Sequence, residues 1–324
     1  MGYFGRSLEQ SWAYSGLAAG NEAAANQPGT SATDAARYRV VSDRALSRLR
    51  DVYGSGPKGW WILPALREQP TQLFGIDRYI GAVAFSGLTL VTLNWALDEM
   101  ERNDTRAVAS VPTDRDFAVA LGQGDGRFAT VRQGDVWFAV RRKRSTKRPN
   151  DLRYDFGLIA LKVRQGGVWT GVVRARPKTN QAFDSAGPTL IAGSQIGLPR
   201  GERLRVRRGT VVIAGGYRTP DRKWLRRSVT WTYRAVPCGV KLTFFAIAGE
   251  YYQYSVFLRR DAGRPSLRGR ALVGGTSKVL FSYRPVSILR RGGYASGNDA
   301  SLTRVRMTLF APKTGPMSIT TCRR

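Results

Sequence analysis

The chain has 324 residues and carries 52 lysines and arginines against 23 acidic residues, a formal charge of +29. It contains no histidine, which excludes Ser-His-Asp and Cys-His catalytic groups and any histidine-ligated metal within these residues. The length suits one large or two modest domains, and a hydrophobic content of 42% allows a substantial core without metal or disulfide support.

The first hundred residues read as helical. An alanine-rich stretch near Leu8 to Ala25 offers Leu8, Trp12, Ala13 and Leu17 for one face, and Asn26-Gln27-Pro28-Gly29 breaks it. Ser31-Ala32-Thr33-Asp34 supplies N-cap side chains for a second helix. There Tyr38, Val41, Ala45, Leu49 and Val52 recur at steps of three and four, which predicts an apolar face opposite Arg37, Arg44, Arg48 and Arg50. Gly54-Ser55-Gly56-Pro57 ends this helix, and Trp60-Trp61-Ile62-Leu63-Pro64 reads as a short extended piece. The apolar stretch Tyr79 to Leu97 raises the question of a membrane span. Its Ser86, Thr89, Thr92, Asn94, Gly81 and Gly87 favour a buried helix instead. The N-terminus has no apolar run of the kind a signal peptide carries.

The pattern changes after about Thr105. Short runs rich in β-branched and aromatic residues alternate with Gly, Pro, Asn and Asp. They are Phe128–Val131, Val136–Val140, Leu158–Val163, Val168–Val173, Val211–Ala214, Val229–Tyr233, Val240–Ile247, Tyr252–Leu258, Val279–Tyr283 and Val305–Phe310. Many strands joined by short turns predict antiparallel sheets in a sandwich or barrel. Gln133-Gly134-Asp135 and Gln165-Gly166-Gly167 read as hairpin turns. Alternation places Tyr252, Tyr254, Val256 and Leu258 on one strand face. The predicted organisation is a helical segment over 1–104 and an antiparallel β-sandwich over 105–324.

Four basic clusters stand out: Arg141 to Arg148, read as an exposed loop, Arg203 to Arg208, Arg222 to Arg227, and Arg259-Arg260. Strand alternation aligns Arg203, Arg205 and Arg207 on one face, a ladder able to grip phosphate, sulfate or carboxylate; the same ladder would also protect an edge strand. Trp224, inside a basic run, is a candidate stacking platform for a sugar or a base. Gly122-Gln123-Gly124-Asp125-Gly126 opens no helix and precedes no Lys-Ser or Lys-Thr, so it is not a phosphate loop, and no cofactor is expected. Cys238 and Cys322 lack metal-ligand spacing; no metal is expected, and they form either one long-range disulfide or two buried thiols.

The order of these parts resembles the C-terminal portion of polysaccharide lyases of the (α/α)-toroid plus β-sandwich type, the heparinase and chondroitin/hyaluronan lyase group. The resemblance rests on Gly75-Ile76-Asp77-Arg78-Tyr79-Ile80 through Ser86-Gly87-Leu88, on Leu152-Arg153-Tyr154-Asp155-Phe156-Gly157, and on Tyr252-Gln253-Tyr254-Ser255-Val256-Phe257. It implies a few helices of a partial toroid followed by a supersandwich-like β region, export to the cell surface or beyond, and β-elimination on an anionic, uronate-containing polysaccharide. The family's catalytic histidine has no counterpart, and about three helices do not close a toroid, so the implied form is partial. No residue matches a family catalytic position. On local grounds Tyr79 and Tyr154 are candidate catalytic residues, and their neighbours Arg78 and Arg153, with Arg203, Arg205, Arg207 and Trp224, are candidate substrate contacts. Two other readings stay open: a non-catalytic module for anionic glycans, and a nucleic-acid binder, which is less favoured because no helix-turn-helix, zinc-finger or RNP motif is present.

Overall fold

The computed structural model describes residues 10–53, 77–102, 116–122, 127–144, 155–173, 187–259, 265–296 and 299–324. The chain divides into two compact units, Met1–Thr113 and Asp114–Arg324.

The first unit is built on three helices among the described residues, α1 (Gln10–Ala25), α2 (Ala32–Tyr53) and α3 (Asp77–Glu101). Ser31 caps α2: the Asp34 backbone N–H donates to its Oγ at 3.1 Å, and its hydroxyl donates to the Asp34 carboxylate at 2.9 Å. Ala18 and Ala19 of α1, Ala45 of α2 and Ala96 of α3 pack together, so small side chains set a close helix approach. The buried face of α2 is Ala35, Arg39, Val40, Ser42, Ala45 and Leu49; Ala45 and Leu49 of the predicted stripe belong to it, whereas Tyr38 and Val41 are exposed. The predicted apolar stripe is therefore rotated. Arg39 is buried because Glu22 of α1, also buried, sits 3.9 Å away as its counter-ion. The expectation of a buried helix at Tyr79–Leu97 is corrected over its second half; the side chains of residues 79–87 are outside the described residues. Among the described side chains of α3, which begin at Leu88, only Thr89, Ala96 and Glu99 are buried, while Leu88, Leu90, Val91, Trp95 and Leu97 are exposed. Polar bonds hold its inner face, including Asn26 Nδ2 to the Glu99 carbonyl at 2.6 Å. No helix among the described residues is long and apolar enough to cross a membrane.

The second unit is an antiparallel β-sandwich, as its alternating runs predict. One sheet holds β1 (Phe117–Leu121), β2 (Phe128–Gln133), β3 (Val136–Arg141), β4 (Gly157–Gln165) and β5 (Val168–Val173) in sequential order. The other holds twelve strands: β6 (Thr189–Ala192), β7 (Gln195–Arg207), β8 (Thr210–Arg218), β9 (Trp224–Val236), β10 (Gly239–Ala246), β11 (Tyr251–Arg259), β12 (Ser266–Arg268), β13 (Ala271–Gly274), β14 (Ser277–Phe281), β15 (Ser287–Ser296), β16 (Asp299–Phe310) and β17 (Gly315–Arg323). Their order is β12-β13-β14-β17-β10-β9-β8-β7-β6-β11-β16-β15. Both predicted hairpins form. Gly134 has φ +54°, and Gly166 and Gly167 have φ +55° and +79°, the left-handed turn residues that such short loops need.

Period-two burial drives the layering. Val229, Trp231 and Tyr233 of β9, Leu242 and Phe244 of β10, and Met317 and Ile319 of β17 point inward and are almost fully buried. The five-stranded sheet supplies Phe138, Val140, Leu161 and Val163 to the same core. Phe156 meets Trp231 edge-on at 4.8 Å. The long sheet curls, so that Tyr252 of β11 packs against Phe244 at 4.9 Å and against Tyr217 at 6.2 Å. The expected face of Tyr252, Tyr254, Val256 and Leu258 is buried throughout. Cys238, in the β9–β10 turn, and Cys322 of β17 form a disulfide with Cα atoms 4.8 Å apart.

Candidate functional site

The outer surface of β7–β10 and β17 is the face opposite this core. On β7, Arg203, Arg205 and Arg207 are exposed, while Leu204 is buried and Val206 packs against the core. Side chains two residues apart on a strand stand roughly 6.8 Å from each other. Pairing extends the row across the sheet. Arg207 lies opposite Thr210, Thr210 opposite Arg234, Arg234 opposite Lys241, and Lys241 opposite Thr320. Arg205 likewise leads through Val212, Thr232 and Thr243 to Ser318. The face thus gathers five cations, Arg203, Arg205, Arg207, Arg234 and Lys241, with hydroxyl side chains between them. None of the five is ion-paired among the described residues. Two acids border the row and are paired with other arginines: Asp116 lies 3.8 Å from Arg208, and Glu202, at the β7 bulge, lies 3.9 Å from Arg218.

Trp224 lies toward the other end of the same surface. It pairs with Arg218 across the strands, and its ring is covered by the Arg218 guanidinium at 3.9 Å and approached by Arg227 at 5.5 Å. The ring lies across Gly216, where an added Cβ would come within 2.7 Å of it. Arginine therefore already covers one ring face, and glycine is needed beneath. The anticipated ladder and Trp224 share a face but not a single pocket.

The other expected residues fare differently. Arg78 and Tyr79 lie on the backbone of α3, and their side chains are outside the described residues, as are Arg153 and Tyr154 entirely. Arg141 to Arg144 are half-buried rather than part of an exposed loop: Arg144 lies 3.7 Å from the buried Asp155, and Arg142 donates to the Glu202 carbonyl. The remainder of that cluster, residues 145–150, is outside the described residues.

A second constellation lies on β9 and β11. Arg226 Nη1 donates to Glu250 Oε2 at 2.7 Å and to the Tyr252 hydroxyl at 3.0 Å. The Ile247 backbone N–H reaches the same carboxylate oxygen at 2.8 Å, and the Tyr252 hydroxyl donates to it as well. Burial pushes the Tyr252 phenol above the usual tyrosine range, and the neighbouring Glu250 carboxylate pushes it further. The phenol is fully buried, and the cluster ties β9 to the β10–β11 loop through these hydrogen bonds. The described residues hold no group of three or more acidic, cysteine or histidine side chains able to bind a metal ion.

No protein-family model matches the chain, and no curated protein matches it. Among solved structures, it is similar to a 4-α-glucanotransferase from Thermococcus litoralis, with 6% identity and a TM-score of 0.44 over 75% of this chain and 43% of that one. It is also similar to a heparinase III with methylated lysines, with 9% identity and a TM-score of 0.34 over 89% of this chain and 55% of that one. The chain thus corresponds to about half the length of these two structures.

Proposed function

We propose that the chain is a carbohydrate-active β-sandwich protein that holds an anionic, uronate-bearing polysaccharide on the outer face of its long sheet. One observation carries this reading: Arg203, Arg205, Arg207, Arg234 and Lys241 form an exposed cationic field, without ion-pair partners among the described residues. Arginine offers two parallel N–H donors to a carboxylate or sulfate, and the interleaved threonines offer hydroxyls to sugar oxygens. The field is carried on a sheet face, with steps near 7 Å along the strand. Duplex DNA is read by elements that enter a groove, so an extended polymer laid along an open sheet face fits better. The Cys238–Cys322 bridge supports a secreted or cell-surface setting, where disulfides persist. Binding is the step proposed; the candidate bases Tyr79 and Tyr154 lie outside the described side chains, and the absorbance measurement below tests cleavage.

The test is a set of parallel titrations of the full chain with heparin, hyaluronan, chondroitin sulfate, alginate and a DNA duplex, while following ultraviolet absorbance for newly formed unsaturated uronates. Tight binding to one glycan that DNA does not displace, without an absorbance rise, is the expected result. Arg203→Ala/Arg205→Ala/Arg207→Ala should weaken that binding and flatten its salt dependence by about two to three units of slope, if each arginine meets one anionic group. Preference for DNA over every glycan would overturn the carbohydrate reading. An absorbance rise would establish β-elimination, and Tyr79→Phe and Tyr154→Phe would then identify its base.

A further inference from the structure

We infer that a second, separate cleft in the β-sandwich binds one uncharged hexopyranose unit. The cleft has a volume of about 650 Å³, within the range of small-molecule sites. It lies where the β6–β7 turn (Ile191, Ala192, Gly193) approaches the β10–β11 loop (Ala248, Gly249, Glu250), and its floor is Tyr251, Gln253 and Thr308. This inference does not depend on the polyanion reading, since none of the five cations of the outer face lines the cleft.

Four features point to a sugar ring. Tyr251 is 41% exposed, and its ring is steadied by Phe310 at 5.0 Å, so an aromatic surface stays open to solvent at a fixed tilt. Such a ring packs against the C–H face of a pyranose and rejects a ligand without an apolar side. Gln253 stands two residues along the same strand face and opposite Thr308, whose hydroxyl accepts from Ser287 at 2.8 Å and keeps its own proton to donate, so an amide and a hydroxyl donor stand beside the ring. Glu250 is held from one side only. Its Oε2 accepts from Arg226, Ile247 and Tyr252, while its Oε1 has no hydrogen-bond partner among the described residues. This carboxylate is the one charged group among the lining residues and is already paired with Arg226, so the site favours a neutral ligand over an anionic one.

The walls are also prepared. The Ala248 N–H bonds to the Thr314 hydroxyl at 3.0 Å, the Gly249 N–H to the Ala311 carbonyl at 2.9 Å, and the Ala311 N–H to the Glu250 carbonyl at 2.9 Å. The loop is thus tied at three successive residues before any ligand arrives, which lowers the ordering cost of binding. Gly193 and Gly249 have positive φ, and an added Cβ at either would meet nothing within 4 Å. Their conformation calls for glycine, and the space beside them is open. Among the described residues the cleft lining holds a single carboxylate, so the pair needed for two-carboxylate glycoside hydrolysis is not present there, and the inference is one of binding.

The experiment is saturation-transfer-difference NMR on the full chain with methyl glycosides of glucose, mannose and galactose. At least one should receive magnetisation on one ring face, with millimolar affinity that stays level between low and high salt, because no counterions are released. Tyr251→Ala should weaken that affinity about ten-fold, Tyr251→Phe should retain it, and Gln253→Ala should reduce it by a smaller factor. Arg205→Ala should leave it unchanged while weakening polyanion binding, which separates this inference from the proposed function. If Tyr251→Ala does not fold, the contrast between Tyr251→Phe and Gln253→Ala carries the test. Absence of transfer from all three glycosides at about 50 mM, where a millimolar site is nearly saturated, would overturn the inference. So would transfer that neither Tyr251→Ala nor Gln253→Ala alters.

Discussion

Removing the Cys238–Cys322 bridge should destabilise the β-sandwich unit by about 4.5 kcal/mol. The two cysteines are separated by 84 positions, and a cross-link over a loop of that size removes roughly 15 cal/mol/K from the unfolded ensemble. The bridge sits beside the Gly239–Cys322 pairing of β10 and β17, so it pre-closes the long loop that those strands must otherwise close for themselves. An unfolding entropy of about 2 cal/mol/K per residue over Asp114–Arg324 converts this loss into a fall of about 10 °C in melting temperature. Cys322 is buried and Cys238 is exposed, so the paired Cys238→Ala/Cys322→Ala variant adds little beyond loss of the link. The assay is thermal and urea unfolding of oxidised, phosphine-reduced and doubly substituted protein, followed by tryptophan emission, with intact mass reporting the thiol state. Superimposable curves for oxidised and fully reduced protein would refute the reasoning. They would mean that the reduced, unfolded chain already keeps β10 and β17 close together.

Other outcomes follow from the same packing. Tyr217 and Tyr252 should remain protonated when ordinary tyrosines ionise near pH 10, because burial raises both phenols. Their folded values lie above their unfolded ones, so the stability they contribute is complete below pH 10 and declines as pH rises beyond it; phenolate absorbance of native against denatured protein checks this. Glu250→Ala should cost about 2–3 kcal/mol, below the range for a fully buried pair because Arg226 and Glu250 keep 15% and 18% of their side-chain exposure. A double-mutant cycle with Arg226→Ala should show coupling of at least about 1 kcal/mol, and simple additivity would contradict the observed contact. Trp231→Ala should cost about 3–5 kcal/mol, whereas Trp224→Ala, which removes only stacking with Arg218 and Arg227, should cost about 1 kcal/mol; equal losses in urea unfolding would contradict this ordering.

Much of this architecture is legible in the order of residues. Alternating runs announce the strands, because a half-buried sheet imposes period two, and glycine pairs announce the hairpins, because a short turn imposes positive φ. The Arg203, Arg205 and Arg207 ladder is visible for the same reason. Its extension to Arg234 and Lys241 is not, since those residues join it only through strand pairing. The insertion of β17 between β14 and β10 is equally invisible, because long-range pairing leaves no local mark. Helix α2 shows where periodicity misleads. Tyr38 and Val41 look like a core stripe, but alanines on α1 and the Glu22 counter-ion draw the face through Arg39 and Ser42 instead. Exposed Leu88, Val91 and Trp95 on α3 make the same point, since hydrophobic content alone does not decide which side is covered. The cleft beside Tyr251 escapes sequence reading because its parts come from β6, the β10–β11 loop, β11 and β16.

The position of β17 also has a consequence in time. β10 emerges from the ribosome with β9 already beside it, but its other edge has no partner until Gly315–Arg323 is made, roughly 70 residues later. At about 5–20 residues per second that is several seconds with one row of backbone N–H and C=O groups open and its inner face, Leu242 and Phe244, uncovered on that side. Cys238 waits through the same interval as a free thiol. The nascent chain is therefore most vulnerable to wrong strand addition and wrong disulfide exchange while residues 247–314 are being added, and a chaperone or oxidase acting on it would have its greatest effect in that window.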